Sequence, residues 1–123
     1  MSVVTSRRRA VGSALFVLAV TASACSGGAP AAAVIDGPEA HALVAAGATL
    51  VDVRTPAEWQ DGHLDGAVLI PVQELEQRLQ EIARDCPVVV YCASGTRSAR
   101  AAATLRAAGY DVRDLGGMSR WGG

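Results

Sequence analysis

The chain has 123 residues, half of them hydrophobic and 19% charged, a balance that suits one packed domain and argues against disorder. Its net charge of −1 gives no general attraction to nucleic acid, and three cysteines are too few for a disulfide framework. All eleven basic residues are arginine, and with no asparagine in the chain N-linked glycosylation is excluded.

Arg7, Arg8 and Arg9 form a basic start, and Ala10 to Ala24 follow without a charge. About 15 residues at ~1.5 Å each fall short of a ~30 Å hydrocarbon core, so the segment reads as the apolar part of an export signal. Ala22-Ser23-Ala24-Cys25 closes it. That order resembles the lipobox of bacterial lipoproteins. The resemblance implies a signal peptide over residues 1–24 and a lipid on Cys25. The protein would then be exported and anchored to the outer face of the cytoplasmic membrane. The alternative is an ordinary secretory signal, with Ala22 and Ala24 as the small positions before cleavage and Cys25 left as a thiol. That route gives a secreted or periplasmic protein. Ser6 to Val11 also loosely fits a twin-arginine signal. Loss of Arg7–Arg9 with the leader leaves eight arginines against twelve acids, a mature net charge of −4. Residues 25–33, Cys25 followed by SGGAPAAA, read as a flexible tether, and a folded domain is expected over 34–123.

Ala33-Val34-Ile35 is a candidate edge strand ahead of Gly37-Pro38. Pro38 opens a helix over Glu39 to Ala46, and Gly47 closes it. Thr49 to Val53 reads as a strand, and Thr55-Pro56-Ala57-Glu58 as a capping box that starts a short helix. Ala67 to Ile70 is a third strand, ended by Pro71. Val72, Leu75, Leu79 and Ile82 recur at helical spacing and predict one apolar helix stripe, with Glu74 and Arg78 paired on the outer face. Pro87 to Tyr91 is continuous and β-branched, as in a strand buried on both sides. Ser98 to Ala108 is an alanine-rich helix ended by Gly109, and Tyr110 to Leu115 is a last strand before Gly116-Gly117. Strands alternating with helices predict an α/β domain with a mainly parallel sheet.

In open parallel sheets ligands sit beyond the carboxyl ends of the strands. The best buried strand here ends at Cys92, and Ala93-Ser94-Gly95-Thr96-Arg97-Ser98 leads straight into a helix. A thiol in that place faces unpaired N–H groups and the positive end of the helix dipole, which favour the thiolate. Gly95 permits a tight turn of inward-pointing amides, and Arg97 adds a positive charge. The pattern suits a nucleophile that takes a group from an anionic donor.

Several segments in order strengthen this reading. They are Asp52-Val53-Arg54, Glu58-Trp59, Gly62-His63-Leu64-Asp65-Gly66-Ala67 with Ile70-Pro71, Tyr91 to Ser98, and Leu115-Gly116-Gly117 with Trp121. Together they resemble a rhodanese-like domain spanning roughly Val34 to Trp121. The resemblance implies a five-stranded, mainly parallel α/β fold with helices on both faces. It also implies transfer of a sulfane sulfur through a persulfide on Cys92. Ala93, Ser94, Gly95, Thr96 and Arg97 would bind the substrate, and Asp52 and Arg54 would support the loop.

From Cys92 to Arg97 the loop is C-x4-R, one residue shorter than the C-x5-R cradle that phosphatases on the related fold need around a phosphoryl group. The expected partners are therefore a small anionic sulfur donor such as thiosulfate and a thiol or cyanide acceptor. Two other functions stay open: a membrane-tethered relay or interaction module that hands sulfur to a protein, and a phosphatase or arsenate-reductase-like enzyme. Cys86 does not bridge Cys92, because six extended residues span ~20 Å and a disulfide allows only ~4.4–6.8 Å, and it reads as a packing residue on the usual burial of cysteine, with a resolving thiol as the alternative. His41 reads as a surface residue, and His63, Trp59 and Trp121 read as structural. Two isolated histidines and no cysteine pair at ligand spacing predict no metal, and no other cofactor is expected.

Overall fold

A computed structural model describes residues 34–122. The expected leader, Cys25 and the tether lie outside the described residues. Four parallel strands form one sheet in the order β2-β1-β3-β4: β1 Thr49–Asp52, β2 Val68–Leu69, β3 Val88–Cys92 and β4 Val112–Gly117. Among the described residues the sheet has four strands where five were expected. Val34 makes a single parallel bridge to Asp114, and Ile35 N–H donates to Asp114 O at 2.8 Å. Pairing stops there because the chain turns at once into helix α1, Gly37–Ala45. Asp36 caps that helix by accepting from Glu39 N–H at 2.9 Å, and a proline follows in the first turn, where its missing N–H costs nothing.

Alternation along β3 divides the core into two halves. Val88, Val90 and Cys92 face one side, packed with Ala101, Ala102 and Leu105 of α3, Thr96–Ala107. The small alanines let that helix lie close to the strand. Val89 and Tyr91 face the other side, with Ala40 of α1, Ile35, Leu50 and Leu115. All five residues of β3 are buried, as its unbroken apolar run requires.

The segment after β2 corrects the helical expectation. Leu75–Gln77 and Leu79–Glu81 form two 3-10 turns, not one α-helix. The apolar stripe still faces inward, with Val72, Leu75 and Ile82 buried and Leu79 packed against them. Spacings of three and four satisfy successive 3-10 turns as well as an α-helix. The backbone departs from helical angles at Arg78, with φ −119°. Tyr110 Oη then donates to the Leu79 and Ile82 carbonyls at 2.8 and 3.2 Å, taking acceptors a continuing helix would use. Arg78 lies nearer Glu81, at 2.7 Å, than Glu74, at 3.7 Å.

Candidate active site

β3 delivers Cys92 to the carboxyl edge of the sheet, and α3 starts four residues later. Gly95 occupies the N-cap with φ +105°, a left-handed conformation that only glycine adopts without strain. This turn aims the Gly95 N–H at Cys92 Sγ, 2.9 Å away. Ser98, fully buried one turn into α3, donates its hydroxyl to Gly95 O at 3.0 Å and closes the loop from below. Ala93, Ser94 and Thr96 form an exposed rim. Cys92 is the free cysteine among the described residues, whereas Cys86 is half-buried ahead of Pro87 and takes no part in the loop.

Burial, the largest single influence, pushes the Cys92 thiol up. The Ser98 hydroxyl and the N–H groups of Ser98, Gly95 and Ser94 act against it, and together they bring the thiol below its ordinary value.

The wall beside the loop comes from β4. Pairing of β3 with β4 slips by one residue, so that Val90 faces Asp114 but Tyr91 faces Gly116 and Cys92 faces Gly117. The bulge is held by Gly116 N–H donating to Asp114 Oδ1 at 2.8 Å, with Gly116 at φ +84°. Gly117 lies so close under the loop that a Cβ on it would come within 2.8 Å of Ala93 O.

Asp52, the fully buried end of β1, accepts from Arg54 N–H at 2.9 Å and from Arg54 Nη2 at 2.7 Å. Arg54 Nη2 also donates to Gly62 O at 2.8 Å, tying the strand end to the Gly62–Leu64 turn. Tyr91 Oη anchors the same turn by accepting from Leu64 N–H at 3.1 Å. Burial first, and Asp52 with it, pushes the Tyr91 phenol far up, so it stays neutral. The remaining residue of the motif, Arg97, points across to α2, Pro56–Gln60, where both its terminal nitrogens meet Glu58.

A profile of the "Rhodanese-like domain" family matches residues 36–123. The chain belongs to the rhodanese-like domain family. It is 48% identical over 80 residues to the uncharacterized protein YqhL of Bacillus subtilis, covering 62% of each chain. It is 45% identical over 74 residues to a sulfurtransferase of Allochromatium vinosum, covering 58% of this chain and 69% of that one. Among solved structures it resembles the human single-domain sulfurtransferase TSTD1, with 32% identity and a TM-score of 0.64, over 74% of this chain and 95% of that chain.

The structure thus brings Cys92, Ala93, Ser94 and Gly95 of the rhodanese-like motif to one loop, with Thr96 and Arg97 in the first turn of α3. Asp52 and Arg54 stand at the end of the adjacent strand β1, bonded to each other and to Gly62. Sequence reasoning assigned no site role to Ser98, Glu58 or Gly117. Ser98 was visible as the last residue of the Tyr91–Ser98 segment and the first of a helical run, with no role assigned to its hydroxyl. Glu58 was visible as a capping residue of α2, and its contact with Arg97 bridges 39 positions. His63 stacks on Trp59 with ring centroids 3.5 Å apart and shares a hydrogen bond with the Trp59 carbonyl, on the exposed surface.

Proposed function

We propose that the protein is a sulfurtransferase that carries a sulfane sulfur as a persulfide on Cys92. The observation that carries this reading is the acidified thiol at the floor of a six-residue C-x4-R loop, with the Gly95 amide 2.9 Å from its sulfur. With thiosulfate, the Cys92 thiolate attacks the outer sulfur. The sulfur–sulfur bond of the donor breaks, and sulfite leaves with the electron pair. The sulfur stays as a Cys92 persulfide, its charge facing the amides of the loop. Cyanide or a thiol then attacks that outer sulfur, and the Cys92 thiolate returns as leaving group. The loop is one residue shorter than a phosphoryl cradle, which supports sulfur over phosphate.

Thiocyanate formation from thiosulfate and cyanide tests the proposal beside hydrolysis of a phosphate ester. Wild type should produce thiocyanate and no phosphate, and Cys92→Ser should produce neither. Undiminished thiocyanate formation by Cys92→Ser, or phosphate release by wild type, would overturn it. The proposal extends to location: a lipid on Cys25 places the domain on the outer face of the cytoplasmic membrane. Incorporation of a labelled fatty acid should vanish in Cys25→Ala, and an unlabelled wild type would contradict the anchor.

A further inference from the structure

Arg97 is the one guanidinium in the C-x4-R loop, and an anionic donor would be its natural ligand. Both of its terminal nitrogens are already taken. Nη1 lies 2.5 Å from Glu58 Oε1 and Nη2 lies 2.9 Å from Glu58 Oε2. The two side chains are each 31% exposed, so water screens the pair only in part. Glu58 is itself fixed, because Oε1 accepts from Thr55 N–H at 3.2 Å and from Thr55 Oγ1 at 3.1 Å within the capping box of α2. A two-point contact of this kind sets the plane of the guanidinium and cancels its charge. The neighbouring cation, Arg54, is cancelled in the same way by Asp52 at 2.7 Å. Arg120, whose side chain passes beside Gly116, donates its Nη2 to Ile35 O at 3.1 Å. The group nearest the Cys92 sulfur is the Gly95 amide at 2.9 Å, and amides favour one negative charge on sulfur while offering little to a second charge on the rest of the donor.

We infer that Glu58 is a specificity-determining positioning residue, which withholds Arg97 from the donor and so adapts the site to thiol persulfides in preference to doubly charged thiosulfate. The inference rests on the sulfur-transfer reading above. In the favoured reaction the Cys92 thiolate attacks the outer sulfur of R–S–SH. The donor's sulfur–sulfur bond breaks, RS⁻ leaves with the electron pair, and the proton stays on the transferred sulfur. One sulfur atom passes from one thiolate to the other, one sulfur–sulfur bond forms as another breaks, and no outside oxidant is consumed.

The test compares thiosulfate with the persulfide of 2-mercaptoethanol in wild type, Glu58→Gln, Arg97→Gln and the double variant. Wild type should use the persulfide with the higher kcat/KM. Glu58→Gln should lower KM for thiosulfate about fivefold, the contribution of one half-screened cation, with a smaller change in kcat. The gain should disappear in the double variant, because it runs through Arg97. Arg97→Gln alone should raise the thiosulfate KM, because it leaves the Glu58 carboxylate uncompensated, whereas the double variant should return close to wild type and Glu58→Asp should keep the wild-type preference. A thiosulfate KM sharply raised in the double variant relative to wild type would make that arginine a donor ligand and overturn the inference. An equal loss of kcat with both donors in Glu58→Gln would also overturn it, leaving Glu58 as a brace for the loop. Intact mass separates the two levels of failure. No added sulfur on wild type from either donor removes the sulfur-transfer reading, whereas added sulfur with unaltered preference removes only the role of Glu58. Protection of Cys92 from iodoacetamide by sulfate carries the same expectation without turnover: weak in wild type, stronger in Glu58→Gln, and weak again in the double variant. Equal protection in all three would contradict it.

Discussion

A thiol at the end of a buried strand ordinarily resists ionisation, and burial does push Cys92 that way. The hydroxyl of Ser98 and three nearby amides reverse the outcome. The hydroxyl hydrogen of Ser98 has two acceptors within its reach, the Gly95 carbonyl and the sulfur, and can turn to the sulfur as charge develops. Ser98→Ala should therefore move the pH profile of Cys92 alkylation upward and slow alkylation several-fold at neutral pH. An unshifted profile would mean that the amides alone hold the thiolate. Cys92 and its loop were legible in the sequence because strand, glycine and helix are contiguous there. Glu58 was legible as the end of a capping box and as part of the Glu58-Trp59 segment of the resemblance, but not as a partner of the loop. Its partner Arg97 is 39 residues away, and nothing local in either segment announces a contact that the fold creates.

At the level of elements, two glycines and one tyrosine place the loop and its support. The bulge in β4 needs Gly116 at φ +84°, and the close pass under Ala93 needs Gly117 to lack a side chain. Gly117→Ala should cost about 1–3 kcal/mol of stability, because the strand or the loop must give way around the added carbon. Denaturant unfolding measures this, and thiosulfate turnover should fall with it. The Gly-Gly pair was readable as the end of a strand, but not as a bulge, since the slip depends on pairing with β3. The same limit explains the segment from Val72 to Ile82. Its apolar spacing correctly identified the inward face, yet spacing does not separate an α-helix from two 3-10 turns. The deciding contact comes from Tyr110, 28 and 31 positions away. Tyr110→Phe should cost about 1–2 kcal/mol, because the Ile82 carbonyl loses the Tyr110 hydroxyl and the Leu79 carbonyl is left with only the Ile82 N–H. Faster amide exchange confined to that segment would confirm where the loss falls, and unchanged unfolding would show that water replaces the hydroxyl.

Over the whole molecule, the α/β class and the parallel order of the sheet follow from strands alternating with helices, and four of the five expected strands form. The fifth is reduced to the bridge at Val34, because its pairing partner is reached only just before α1 begins. Distant parts are joined by the Glu58–Arg97 pair, which links α2 to the start of α3. The Arg97 guanidinium holds the Glu58 carboxyl down at about 2, from an ordinary 4.5. A carboxylate depressed in the folded state adds stability that is complete above its ordinary value and is lost as pH falls toward the folded one. Stability should therefore hold steady down to about 4.5 and decline between there and about 2, and Glu58→Gln should flatten that part of the decline. Urea midpoints across this range measure the difference, and parallel curves for the two proteins would contradict it. The central claim is more direct: Cys92 accepts one sulfur atom. Intact mass after treatment of the reduced protein with a sulfane donor should show a single added sulfur, localised to the Cys92 peptide, removed by cyanide and missing from Cys92→Ser. A wild-type mass that no sulfane donor changes, or an added sulfur that persists in Cys92→Ser, would contradict the account.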